Sequence, residues 1–121
     1  MEADAQGVRP LNAVLGALAK LSPVSRYAVE GGSMAPAYRD GERVLVNRAV
    51  YRLRAPATGE VVVLHDPEQP ERLLLKRIAA SDAMTPGRYY VLGDNAVESR
   101  DSRHFGPVAR ADVIGRAWFK Y

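Results

Sequence analysis

Three segments of this 121-residue chain carry side chains that could do chemistry. The first is Glu30-Gly31-Gly32-Ser33-Met34-Ala35-Pro36. Its two glycines free the backbone to bend and let another chain come close, and Pro36 fixes the exit. A serine placed there can project its hydroxyl from a tight turn, beside backbone N–H groups able to hold a developing oxyanion. A purely structural Gly-Gly-Ser turn has the same local pattern.

The second is Leu73-Leu74-Leu75-Lys76-Arg77-Ile78. Strand alternation sets Leu74, Lys76 and Ile78 on one face. An unpaired ammonium is costly to bury, so a lysine in this company is pushed toward its neutral form. A general base needs that shift: from about 10.4 down to the working range is about three units, or roughly 4 kcal/mol. An edge-strand lysine snorkelling to water is the competing reading. The third segment runs from Gly93 to Gly106 and holds Asp94, Asn95, Ser99, Asp101, Arg103 and His104. By itself it reads as a structured polar loop of the kind that is often functional.

These side chains must be positioned by a small fold. Tyr27 to Val29, Arg43 to Asn47, Glu60 to Leu64, Leu73 to Ala79, Tyr89 to Leu92 and Val113 to Phe119 read as strands. They are separated by Gly, Pro, Asp and Asn punctuation such as Asp40-Gly41, Asp66-Pro67 and Pro86-Gly87. The expectation is a mainly β domain with a compact, partly closed sheet. One helix is predicted, from Pro10 to Leu21, with Leu11, Val14, Leu15 and Leu18 at i, i+3, i+4 and i+7. We expect residues 1–25 to form this amphipathic segment and residues 26–121 the domain that carries all three segments. The helix is too short to span a bilayer. It either packs on the domain or makes peripheral membrane contact.

Composition narrows the function. No cysteine is present, which removes disulfides, thiolate metal sites and a cysteine nucleophile together. His65 and His104, the only two histidines, are too few for a typical zinc cage; no metal or other cofactor is expected. The net charge of +3 has no basic run behind it, so no nucleic-acid partner is expected.

Taken jointly, the three segments resemble the type I signal peptidase family. The pattern is Gly-x-Ser-Met-x-Pro, a Gly followed by a Val-Leu-Val strand, Lys-Arg within an apolar run, and Gly-Asp-Asn followed by Ser and Asp-Ser-Arg. The resemblance implies a β-rich core shared with LexA-type self-cleaving repressors, and a Ser-Lys dyad. It makes Ser33 the nucleophile, Lys76 the general base and Ser99 the residue that orients the lysine. Asp101, Arg103 and Arg77 become a supporting ion-pair group, and Gly93, Asp94 and Asn95 the turn beside the dyad. Gly31, Gly32 and Met34 would border the oxyanion and substrate cleft. Many bacterial members carry a serine donor where Gly31 stands, which leaves the oxyanion to backbone N–H groups, chiefly that of Ser33. Ala96-Val97-Glu98 also replaces a usually polar stretch.

The family's membrane anchor is expected to be reduced here to the N-terminal helix, and only 16 residues separate Lys76 from Gly93 (93 − 76 − 1). This short core, with Asp66-Pro67, Glu71-Arg72-Leu73-Leu74 and Asp101 to Pro107, is most similar to nickel-type superoxide dismutase maturation proteases, which trim an N-terminal leader. The expected partner is therefore a precursor protein bound as an extended strand between the strands leading to Ser33 and holding Lys76. The expected location is the cytoplasm, with membrane association through the helix as the variant. Alternatives are a signal peptidase acting on secretory preproteins, a self-cleaving regulator fragment, and an inactive peptide-binding module. A Ser-His-Asp triad using His65 or His104 and a metal site from His65, Asp66 and His104 are the chemical rivals.

Overall fold

A computed structural model describes residues 6–11, 22–81 and 85–121. Among these residues the chain forms one antiparallel sheet of eight strands: β1 (Gly7–Pro10), β2 (Val24–Glu30), β3 (Arg43–Asn47), β4 (Val61–His65), β5 (Leu73–Ala79), β6 (Arg88–Leu92), β7 (Val108–Ala109) and β8 (Val113–Lys120). Their order across the sheet is β1-β2-β3-β8-β4-β5-β6-β7. The mainly β, partly closed fold read from the sequence is the one observed. Curling of the sheet brings β1 back against β5, and bulges in the β8 pairings at Leu45/Val46 and Val63/Leu64 add to the bend.

Arg43–Asn47 and Leu73–Ala79 coincide with prediction; β2 runs three residues further at its start and one at its end, β6 and β8 are each one residue longer, and β4 is shifted by one residue. Strands β1 and β7 were not foreseen. Nor were two one-turn helices, α1 (Val50–Leu53) and α2 (Ser102–Phe105). The predicted helix from Pro10 to Leu21 begins instead in β1: Pro10 pairs opposite Tyr27 and the Leu11 N–H bonds to the Arg26 carbonyl at 2.8 Å. The remainder of that helix, residues 12–21, lies outside the described residues.

The central strands are buried on both faces, which explains why they read as continuous apolar runs. Val61, Val63 and Leu75 join a core with Val29, Met34, Val44 and Val46. Val62, Leu64, Leu74 and Ile78 join a second with Tyr51, Val91, Val108 and Val113. Each such side chain contributes about 1.5–3 kcal/mol when fully buried. Lys76 stands opposite Val62 in the β4–β5 pairing, with Leu74 and Ile78 at the positions on either side of it on the same strand face.

Candidate active site

Strand β2 ends at Glu30, and the chain turns sharply through Gly31-Gly32-Ser33. Gly31 has φ +80, a left-handed conformation that favours glycine, and its N–H bonds to Asp40 Oδ1 at 2.8 Å. The turn is clipped to the Gly93-Asp94-Asn95 segment at several points. The Asn95 N–H donates to the Ser33 carbonyl at 2.8 Å, the Asn95 side-chain amide donates to the Gly32 carbonyl at 3.1 Å, and the Asp94 N–H meets Met34 Sδ at 3.4 Å. Met34 and Ser33 are both buried. A side chain at Gly93 would put its Cβ 2.7 Å from the Ser33 carbonyl oxygen and 2.1 Å from Ser99 Oγ. Glycine at 93 is therefore what lets the serine turn and the Ser99 segment meet.

Lys76 is fully buried. Its amine donates to Ser99 Oγ at 3.0 Å and to Gln6 Oε1 at 2.6 Å. Burial lowers its pKa to about 8; Asp101 acts against the fall and Arg103 adds to it. Ser99 in turn donates its hydroxyl to Asp101 Oδ2 at 2.6 Å. The same carboxylate oxygen accepts the Gly93 N–H at 2.8 Å, and Arg103 grips both oxygens at 2.9 and 2.6 Å. Burial would push the Asp101 carboxyl up. The Arg103 guanidinium, the Gly93 N–H and the Ser99 hydroxyl outweigh it and hold Asp101 well below the usual carboxylate range. Asp101 also caps α2, accepting the Arg103 N–H at 3.2 Å.

The structure thus brings Lys76, Ser99, Asp101, Arg103 and the Gly93–Asn95 turn into one hydrogen-bonded cluster, which Ser33 meets through its backbone carbonyl, bonded to the Asn95 N–H. Arg77 does not join the Asp101–Arg103 pair. It forms a bidentate bond with Asp94 at 2.9 and 2.8 Å and reaches the Gly59 carbonyl at 2.9 Å, because strand alternation turns it away from Lys76. His65 lies near the Pro70 carbonyl, 2.8 Å from its ring nitrogen. His104 completes the α2 capping box with the Asp101 N–H. Both histidines are therefore engaged in local backbone contacts. Asp66 is fully buried; it accepts the Glu68 and Gln69 N–H groups and pairs with Arg100. Among the described residues no group of three or more His, Asp or Glu is arranged to hold a metal.

Sequence reasoning missed Gln6. The residue precedes β1 and its partner is 70 positions away, so no local pattern marks it. It reaches the site because Gly7–Pro10 pairs with β2 and fills part of the space between β2 and β5 that a substrate strand was expected to occupy. A cleft of about 360 Å³ remains beside β1, bordered by Gln6, Val8, Pro10, Gln69, Arg72 and Leu73. Pairing of Leu11 with Arg26 sets the alternation, which leaves the N–H and C=O of Val8 facing away from β2.

A profile of the signal peptidase, peptidase S26, family matches residues 10–83 and 80–121. The chain is 31% identical over 114 residues to the mitochondrial ATP-independent inner membrane protease subunit 1a of Arabidopsis thaliana, covering 78% of this chain and 68% of that protein. It is 25% identical to signal peptidase I V of Bacillus subtilis, covering 74% of this chain and 80% of the relative. Identity to signal peptidase I of Bacillus caldolyticus is 24%, over 84% of this chain and 81% of the relative.

Proposed function

The chain belongs to the signal peptidase, peptidase S26, family of serine endopeptidases, and from that membership we propose that Ser33 is its nucleophile and Lys76 its general base. The observation that carries the assignment is the state of Lys76. Its amine is buried, its pKa is drawn down to about 8, and both of its hydrogen-bond partners among the described residues are neutral groups. A neutral amine so placed can take the Ser33 Oγ proton as the oxygen bonds to the scissile carbonyl carbon. The proton then passes to the departing amine. In the second half, Lys76 takes a proton from water, whose oxygen bonds to the acyl carbon, and returns it to Ser33 Oγ as that oxygen leaves and the carboxylic product forms. With glycine at 31, the oxyanion is held by backbone N–H groups, chiefly that of Ser33.

The substrate binds as an extended segment in the cleft beside β1, on the side of that strand to which the Val8 N–H and C=O face. We assign it as the N-terminal leader of a precursor, specifically a nickel-type superoxide dismutase. The support is the short core with its Asp66-Pro67 turn, which Arg100 ties down through the buried Asp66 carboxylate. A second reading is processing of secretory preproteins at a membrane, favoured by the signal peptidases and the inner membrane protease among the relatives. Among the described residues no helix is long and apolar enough to cross a membrane.

The test offers purified protein both precursors, with Ser33→Ala and Lys76→Ala as controls. Cleavage of the dismutase leader alone supports the first reading. Cleavage of the secretory precursor alone, enhanced by membranes, replaces it with the second. A folded Lys76→Ala protein with full activity removes the dyad.

A further inference from the structure

A neutral lysine nitrogen carries two N–H bonds and one lone pair, and only the lone pair can take a proton. The direction of that lone pair is fixed once both N–H groups are committed. Ser99 commits one: its own proton goes to the Asp101 carboxylate at 2.6 Å, so toward Lys76 it can only accept. Gln6 Oε1, at 2.6 Å, commits the other. The orientation of the Gln6 amide is set independently, because the same oxygen also accepts the Arg100 backbone N–H at 3.2 Å. Two donors converge on one atom, and that atom must be the carbonyl oxygen.

Gln6 is buried, and its placement is built into the fold. Gly7, with φ +124, lies so close to β5 that a Cβ would fall 2.2 Å from the Leu73 carbonyl oxygen. Pairing of Gly7–Pro10 with β2 then holds the segment in register. We infer that Gln6 is a positioning residue for the base: it binds one N–H of the Lys76 amine so that, with Ser99 holding the other, the lone pair is directed away from both, toward the serine turn.

This role rests on the proposed Ser33–Lys76 dyad. It also explains a neutral amide at this place. The charged groups acting on Lys76 are Asp101, through Ser99, and Arg103. A third charge, a carboxylate in direct contact, would hold the lysine as an ammonium ion with no lone pair to use.

The experiment compares Gln6→Leu and Gln6→Glu with the unaltered protein, using Lys76→Ala as the reference for the dyad. In Gln6→Leu, kcat falls about 10- to 100-fold with KM nearly unchanged, a part of the roughly 10²–10⁴-fold that a general base contributes. In Gln6→Glu, which keeps the side-chain shape should the leucine variant fail to fold, the acid limb of the pH–rate profile moves up by about one unit or more and activity recovers at high pH. A nuclear magnetic resonance titration of the Lys76 side chain in Ser33→Ala protein reads the same contact without activity. Its midpoint rises with Gln6→Glu and falls with Gln6→Leu. Unchanged kcat and unchanged titration in both variants overturn the inference, and so does a gain in kcat/KM in Gln6→Leu, which would make β1 an obstruction. An active Lys76→Ala protein overturns the dyad instead, while the titration still reports on Gln6.

Discussion

Ser99 donates its hydroxyl proton to Asp101 at 2.6 Å and therefore faces Lys76, 3.0 Å away, only as an acceptor. An ionised carboxylate cannot donate, so this bond has one direction, and the hydroxyl group works as a fixed dipole aimed at the amine. Removing it leaves a buried N–H without a partner. Ser99→Ala should lower kcat by about 10²–10³-fold with KM largely retained. It should also cost about 1–3 kcal/mol of stability, the penalty of an unsatisfied buried donor. Steady-state kinetics and denaturant unfolding measure the two effects.

Cleavage should rise with pH through an apparent pKa near 8, the value to which burial draws Lys76. The same shift has a stability consequence. Between about pH 8 and the ordinary value of 10.5, the unfolded chain binds a proton that the native state has released. Stability from this group therefore increases as pH rises through that window, by on the order of 3 kcal/mol. Lys76→Met should abolish cleavage and remove that rise, as read from unfolding curves taken across it. Asp101 acts in the same sense in a lower window: its folded pKa is also depressed, so its contribution is present at neutral pH and is lost as pH falls below about 3.8.

Arg103 grips both Asp101 oxygens and itself lowers the Lys76 pKa. Arg103→Met should move the acid limb of the pH–rate profile upward. It should also lower the melting temperature, because Asp101 keeps its burial but loses its charged partner. A profile unmoved in a folded variant would show that Arg103 acts on stability alone.

Gly93→Ala should be more damaging than its size suggests, since the new methyl group would press on Ser99 Oγ and the Ser33 carbonyl at once. We expect loss of detectable cleavage with a stability cost of about 1–3 kcal/mol. Near-normal activity would mean that the two segments can separate without harm.

Gly31→Ser should fail as a graft. The φ of +80 at this position costs a residue with a Cβ about 1–2 kcal/mol, so the turn must change to admit a serine. Activity is expected to fall rather than rise, and a gain in kcat would show that a side-chain donor can be accommodated there.

The strands that carry the site were legible because burial writes itself into neighbouring residues. Leu73–Ala79 is an apolar run with two adjacent cations, only one of them on the face shared with Leu74 and Ile78, and its ends matched prediction. Strand β1 carries no such mark: it has four residues, opens on a glycine and closes on a proline, and owes its form to partners in β2 and β5. The same reasoning covers β7, two residues long, and Gln6, whose part depends on a contact across 70 positions. The pairing of Arg77 with Asp94 was misread for a different cause. Three charged residues were grouped by type, whereas side-chain direction along β5 separates Arg77 from Lys76 and delivers it to Asp94.

The position of β8 between β3 and β4 orders events in time. The serine turn hangs from β2 and β3, and the lysine from β4, β5 and β6; among the described residues neither group of strands pairs with the other except through Val113–Lys120. A chain emerging from the ribosome through β6 holds Ser33 and Lys76 as side chains but lacks the strand that joins their halves. On the proposed mechanism, the strands carrying Ser33 and Lys76 are joined into one sheet only once translation has delivered Val113–Lys120.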